Sequence, residues 1–282
     1  MEIKEFELEI ANGQMSFDFE EEERGTIPAE KLIKSQNFNW IGEETLFVVV
    51  RTQNKALSND LPSLKLCGKK MIDWVRLAGS SCQQIVVDDG EDVFERIKDF
   101  QTDKKYVAIF YSDTPLLSKN LFYKIMNYFS SKNINYLKLS RGYVAKAEFI
   151  NSCPNLMQNS AVGFEDAGLS VADNAKTISQ MNEILQHRIL AFHQANGVII
   201  YGKNTVFIDA DAEIEAGVVI YPNNVIKGES IISSGTILES GNVIKNSIIS
   251  SNCQIENSYI EKSKISQGKT IKAFSKIIEE EA

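Results

Sequence analysis

Residues 208–244 read IDADAEIEAGVVIYPNNVIKGESIISSGTILESGNVI. In this stretch an aliphatic residue recurs at every sixth position: Ile208, Ile214, Ile220, Ile226, Ile232, Leu238 and Ile244. The count then slips by a residue and continues through Ile249, Ile255, Ile260, Ile265 and Ile271. A helix repeats its faces every 3.6 residues and a strand every two, so neither yields six. A parallel β-helix does, because each short strand sends one aliphatic side chain into a central stack and then turns a corner. Two residues beyond each aliphatic sits something small or turn-forming: Ala210, Ala216, Pro222, Gly228, Ser234, Ser240 and Asn246. An ordinary β-sandwich with regular turns is the competing architecture, and it does not call for seven registers in succession.

Upstream the periodicity changes. Leu46–Val50 and Tyr106–Tyr111 are continuous apolar runs, the pattern of strands buried on both faces. Shorter strands are expected at Gln84–Val87 and Tyr136–Leu139, with helices at Met71–Leu77, Asp92–Phe100 and Lys119–Ser131. This alternation predicts a Rossmann-like α/β domain with a parallel sheet. Functional loops should then follow the carboxyl ends of strands, after Val50 and after Tyr111. From Asn174 to Gln194 the residues Ile178, Met181, Ile184, Leu185, Ile189 and Phe192 keep helical spacing. Asp173 is the expected N-cap and Asn196-Gly197 the stop, and the helix is read as a rigid linking arm. The expected organisation is an acidic N-terminal extension (1–44) holding one or two strands, an α/β domain (45–170), a linking helix (171–197) and a β-helix (198–275).

Of 282 residues, 43% are hydrophobic and 24% charged, as in ordinary globular proteins. The formal net charge of -8 offers no basic footprint for nucleic acid. Acidic runs at Glu20–Glu23 and Glu279–Glu281 read as solvated segments. Cys67, Cys82, Cys153 and Cys253 are scattered without a CxxC pair, which argues against zinc and against a disulfide framework. No apolar run reaches the roughly eighteen residues of a membrane span, and the N-terminus is acidic where a signal peptide is basic. A cytoplasmic protein without a membrane partner is the expectation.

Several segments together resemble one family. Arg188-Ile189-Leu190, Asn196-Gly197-Val198-Ile199-Ile200, Ile208-Asp209-Ala210-Asp211 and Ile220-Tyr221-Pro222 are similar to the junction in bacterial bifunctional N-acetylglucosamine-1-phosphate uridyltransferase/glucosamine-1-phosphate acetyltransferase. Leu61-Pro62 followed by Gly68-Lys69-Lys70-Met71 resembles that family's Leu-Pro-Lys…Gly-Lys-Pro-Met stretch, and Tyr111-Ser112-Asp113-Thr114-Pro115-Leu116 its Tyr-Gly-Asp-Val-Pro-Leu. The resemblance spans roughly residues 45 to 265. It implies a nucleotidyltransferase-like α/β domain followed by a short left-handed β-helix of hexapeptide repeats. It also implies Mg2+ held by Asp113, with Asp173 as the counterpart of a second metal ligand. A turn-capping role for Asp113 and helix capping by Asp173 are the plainer alternatives.

The departures matter as much. The family's Gly-x-Gly-Thr-Arg-Met loop cradles nucleotide phosphates on backbone amides and an arginine. Counting back from Leu61-Pro62, Thr52 and Asn54 stand where its glycines belong and Ala56 where its arginine belongs. Ser63 replaces the lysine after the proline. Arg51, Lys55 and Lys65 are the remaining candidates for phosphate binding. The base-reading and sugar-binding segments are short or missing. Acetyl transfer lacks its general base, since the two histidines, His187 and His193, both lie in the linking helix. Being six apart, they do not form an i, i+4 metal pair either. Two function classes remain. One is a UDP-N-acetylglucosamine pyrophosphorylase-like enzyme joining an NTP to a sugar 1-phosphate with Mg2+. The other is a catalytically silent relative acting as an oligomeric scaffold or regulatory binding protein. In either case the flat faces of a β-helix suggest a homotrimer.

Overall fold

The computed structural model describes residues 7–11, 14–18, 39–53, 61–88, 92–100, 103–152 and 160–281. Asn54, Lys55, Ala56, Cys153 and the acidic run Glu20–Glu23 lie outside the described residues. Two compact units emerge. One combines the chain up to Leu64 with Lys70–Met181, and the other combines Lys65–Lys69 with the chain from Asn182 onward.

The first unit begins with an antiparallel pair, β1 (Glu7–Ala11) and β2 (Gln14–Asp18). A short helix α1 (Asn39–Glu44) then leads directly into β3 (Thr45–Arg51). The next strands in the chain, β4 (Lys65–Leu66) and β5 (Lys69–Lys70), form a small hairpin. After it come α2 (Met71–Ala78), β6 (Gln83–Asp88), α3 (Val93–Phe100), β7 (Tyr106–Tyr111) and α4 (Lys119–Lys132). Strands β8 (Tyr136–Leu139) and β9 (Gly142–Lys146) and the helix α5 (Ala147–Ser152) complete it.

The main sheet has the order β6-β3-β7-β9-β8. Alternate residues of the buried strands serve opposite cores. Phe47, Val49, Ala108 and Phe110 pack with Ile72, Val75, Phe122, Ile125 and Phe129 on one face. Leu46, Val48, Val50, Val107 and Ile109 pack with Phe94, Ile97 and Ile150 on the other. Burial on both faces is why these strands read as unbroken apolar runs. The sheet is parallel except for β9, which runs antiparallel to both β7 and β8. Only Ser140 and Arg141 separate β8 from β9, too few for a parallel crossover, so the chain must turn back on itself.

The long helix α6 covers Ala175–Ala195. Its cap differs from expectation. Asn174, not Asp173, receives the Thr177 N–H on its Oδ1 (3.0 Å), and the Thr177 hydroxyl oxygen receives the Asn174 N–H (3.1 Å). This reciprocal pair works as a capping box, with Thr in the role usually taken by Glu or Gln. At the other end the N–H groups of Gly197 and Val198 return to the carbonyls of Gln194 and His193, closing the helix where Asn196-Gly197 was expected to stop it.

The second unit is the left-handed β-helix of hexapeptide repeats. Three parallel ladders form its faces. The inward residues stack as Ile200-Ile220-Leu238-Ile255-Ile271, Ile208-Ile226-Ile244-Ile260-Ile277 and Ile214-Ile232-Ile249-Ile265. Nearly all of them are buried. The slipped count has a backbone explanation. In each five-residue step, after Ile244, Ile255 and Ile260, the residue two positions on (Asn246, Asn257, Lys262) takes a left-handed conformation. A tighter turn replaces the missing residue, and Asn tolerates that conformation better than most side chains. Buried polar side chains lace the corners. The Asn242 N–H donates to Asn224 Oδ1, and the Ser258 N–H donates to Asn242 Oδ1. Ser230, Ser247 and Ser263 are linked coil to coil in the same way.

The β4–β5 turn belongs to this unit. Both turn residues, Cys67 (φ 47) and Gly68 (φ 80), have positive φ, as a two-residue hairpin turn of type I′ requires. The Cys67 N–H donates to Asn182 Oδ1 at 2.9 Å, and its carbonyl accepts the Ala210 N–H at 2.9 Å. A Cβ on Gly68 would stand 2.5 Å from the Asp209 carboxyl carbon, so only glycine fits. Lys69 pairs with Asp211, which gives the family-like Gly68-Lys69 a structural partner in the coils.

Candidate functional site

Within the α/β unit the chain leaves β3 for β6 on one side and later returns to β7 on the other. The carboxyl ends of β3 and β7 therefore flank the topological switch point, the place where open α/β sheets bind ligands. The residues that follow these strands are Thr52 and Ser112-Asp113.

Thr52 and Ser112 are both buried and bonded to each other. The Thr52 N–H donates to Ser112 Oγ at 2.9 Å, the two hydroxyls lie 3.0 Å apart, and the Ser112 N–H donates to the Val50 carbonyl. Asp113 comes next. Its carboxylate is almost completely enclosed and is gripped by Arg141, whose Nε donates to Oδ1 at 3.1 Å and whose Nη2 donates to Oδ2 at 2.6 Å. This fork-to-fork arrangement is the strongest common form of a carboxylate ion pair. The same guanidinium lies 3.9 Å from the centroid of the Tyr111 ring.

Arg141 was not among the sequence candidates. It occupies the tight turn between β8 and β9, and β8 runs in the same direction as β7, so the carboxyl ends of both strands open on one edge of the sheet. Gly142 holds the turn close. At φ +125, a Cβ there would meet the Ile109 carbonyl oxygen at 2.5 Å. The sequence did carry a signal, an Arg between two short β-like runs, but only the strand order aims it at Asp113.

Arg51 pairs with Asp88 at 3.5 Å, with both side chains well exposed, a contact of little energetic weight. Lys65 is exposed on β4 and belongs to the β-helix unit, and Lys55 lies outside the described residues. Asp173 is brought near Asp113 through its neighbour, because the Ala172 N–H donates to the Asp113 carbonyl at 2.8 Å. Its own Oδ1 accepts from Asn174 Nδ2 and from the Thr177 hydroxyl. Burial lowers the pKa of both histidines below the ordinary 6.5. His193 is enclosed, and its Nδ1 has no hydrogen-bond partner.

These residues do not fit the divalent cation that the family resemblance implies. Both oxygens of Asp113 are committed to a cationic side chain, and a second positive charge beside it would be repelled. Among the described residues, no three His, Cys, Asp or Glu side chains come together where they could hold a metal ion. Nor is any helix among them long and apolar enough to cross a membrane.

No family model matches the chain. The bifunctional protein GlmU of Clostridium botulinum (strain Eklund 17B / Type B) is 26% identical over 324 residues, covering 82% of this chain and 71% of that protein. The GlmU of Clostridium beijerinckii is 24% identical over the same shares of both chains. The chain is a shortened GlmU-like protein. As such it is sugar nucleotidyltransferase-like, and its α/β sheet and hexapeptide coils are arranged in the order that likeness requires. The alignments run over more positions than the 282 residues of this GlmU-like chain, so its relatives carry stretches that it lacks. Over a shorter span, the GlmU of Clostridium acetobutylicum is 33% identical across 100 residues, which is 36% of this chain and 22% of that protein. Among solved structures, Rv0371c from Mycobacterium tuberculosis H37Rv matches 50% of this chain and 97% of its own, at TM-score 0.38 and 10% identity.

Proposed function

We propose that this chain is a catalytically silent sugar nucleotidyltransferase-like protein that acts as an oligomeric scaffold or regulatory binding protein. The observation that carries the reading is the Thr52–Ser112 pair at the switch point. Each residue stands where the resembled motifs have a glycine, Thr52 in the phosphate loop and Ser112 before the aspartate. A phosphate cradle needs free N–H groups and backbone unshielded by side chains. Here the Thr52 N–H is already engaged, and two hydroxyl side chains close the gap between the strand ends. Arg51, the last residue of β3, is turned to Asp88.

Calorimetric titration with UTP and with UDP-N-acetylglucosamine, each with and without Mg2+, tests the reading, together with a pyrophosphate-release assay. The expected result is no heat up to millimolar ligand and no turnover. Magnesium-dependent binding that disappears in Asp113→Ala would sink it. One observation favours the enzyme reading instead, namely that Asp113 keeps its place at the carboxyl end of β7. That reading, a UDP-N-acetylglucosamine pyrophosphorylase-like activity, requires Arg141 to leave Asp113 before substrates bind.

The scaffold role rests on the coils. Ile199, Val219 and Ile237 lie in register on one ladder, with Ile199 and Ile237 exposed. A homotrimer would bury such a stripe under closed threefold symmetry. A monomeric mass by light scattering at micromolar concentration would exclude it.

A further inference from the structure

We infer that residues 272–281 form a self-complementary docking surface, anchored by Phe274, through which two copies of this chain pair face to face. The inference goes beyond the reading above and uses neither the crevice nor the stripe through Ile199 and Ile237. Two independent observations support it.

The first is a residue unsuited to its backbone. One corner of the β-helix lies two residues before the register Val225-Val243-Tyr259-Lys276, and successive coils place Asn223, Gly241, Asn257 and Phe274 there. All four have positive φ (63, 89, 30 and 67). Glycine and asparagine suit that conformation, whereas a bulky ring there is a backbone outlier. The Phe274 N–H donates to the Asn257 carbonyl at 2.9 Å, so the corner is closed in the same way as its neighbours. Lys262 and Glu279, two other unsuited residues at left-handed corners, pair with each other at 3.1 Å. The Phe274 ring is 87% exposed and makes no ring contact among the described residues. Nothing within the chain offsets its strain, and a fixed, solvated aromatic ring is the kind of group that anchors an interface.

The second observation is the charge pattern around it. Lys272 and Lys276 flank Phe274, while Glu280 and Glu281 lie beyond the strand Lys276–Ile278, whose Ile278 is also exposed. None of these four charges has an ion-pair partner among the described residues. The surface thus runs from a basic, aromatic end to an acidic, aliphatic end. A twofold axis through its middle sets Phe274 on Ile278 of the second copy and the two lysines opposite the second copy's two glutamates, each contact made twice. A purely acidic partner would use only the basic end, so a second copy fits the whole surface better.

Sedimentation of the full-length chain over a rising concentration series is the test. Phe274→Asn installs the residue type that the same corner uses two coils and one coil earlier in the column, so it should fold and melt no lower than dilute wild type. At high concentration wild type should reach twice the mass of Phe274→Asn, whether that variant is a monomer or a trimer. High salt should weaken the doubling. Lys272→Glu with Lys276→Glu sets acid against acid, and Glu280→Lys with Glu281→Lys sets base against base, so neither double variant should pair alone. Mixed in equal amounts, the two should regain the doubling, because each then meets the opposite charge on the other. Equal masses for wild type and Phe274→Asn at every concentration would overturn the inference. So would pairing by either double variant alone, or a mixture that stays unpaired. The homotrimer reading fails separately, since it sets the mass of Phe274→Asn and not the ratio to it.

Discussion

The coils and the crevice of the α/β unit hold their shapes by different kinds of redundancy. In the coils each aliphatic inside a column has a like neighbour above and below, and the corner bond from Asn242 to Asn224 is repeated one coil later from Ser258 to Asn242. A missing residue is absorbed by a left-handed turn at Asn246, Asn257 or Lys262, and the stack continues. In the crevice nothing repeats. The Thr52–Ser112 and Asp113–Arg141 side-chain contacts are each made once, so a few substitutions can remake the site while the sheet beneath is unchanged. A fold specified many times over survives drift that a site specified once does not.

The comparison can be broken or sharpened by substitution. The largest effect is expected from Ile244→Ala, which opens a cavity between Ile226 and Ile260 in a fully buried column. A loss of about 2–5 kcal/mol in denaturant unfolding is predicted. A loss well under 1 kcal/mol would mean that the stack does not act as one core. Next comes Asn242→Ala. Its amide donates to the Glu239 and Ile255 carbonyls and its oxygen takes the Ser258 N–H. Leaving these buried groups unpaired should cost about 1–3 kcal/mol, and a neutral melting temperature would show that the corner ladder is ornamental. Ser112→Ala, which frees Thr52, should cost about 1 kcal/mol. If instead it costs as much as Asn242→Ala, the crevice is as tightly specified as the coils.

Two smaller effects depend on pH. Burial holds the His193 pKa below 6.5, so the folded state prefers the neutral ring. The stability this contributes is present above pH 6.5 and is lost as pH falls below it, because the unfolded chain then binds more protons. His193→Phe should flatten that acid limb in melts recorded from pH 7.5 to 5. Unchanged curves would mean that the ring is not enclosed in solution. Burial, with Asp209 nearby, pushes the Cys67 thiol up to about 12. The folded state holds that proton, so its stabilising share is complete below pH 9 and declines as pH rises from 9 toward 12. At pH 8.5 Cys67 should resist alkylation until the protein unfolds, as read by mass spectrometry.

Most of the architecture was legible in the sequence because it is written as periodicity. The six-residue beat gave the coils, and the apolar runs at Leu46–Val50 and Tyr106–Tyr111 gave the two central strands of the sheet. The reversed strand β9 was not read, because five residues flanked by a two-residue turn carry no period of their own. The crevice was half legible. Asp113 and Thr52 could be placed by motif, but their partners could not, since Arg141 is 28 residues from Asp113 and Ser112 is 60 from Thr52. Local pattern does not encode who meets whom across a sheet. Strand order does. The cap of α6 shows the same limit at short range: Asp173 and Asn174 are both good caps, and only the Thr177 geometry selects the second.

The Cys67–Gly68 turn also constrains how this molecule can be made. It is synthesised 115 residues before Asn182, the helix residue that receives its N–H, and well before the first coil that supplies Ala210. During translation the turn must wait, unpaired, until those partners leave the ribosome. A gene fragment that starts at α6 would yield coils lacking one of their own pieces. Supplying residues 61–71 as a separate peptide, or moving them by circular permutation to precede α6, would restore to that fragment what a simple cut between the two units removes.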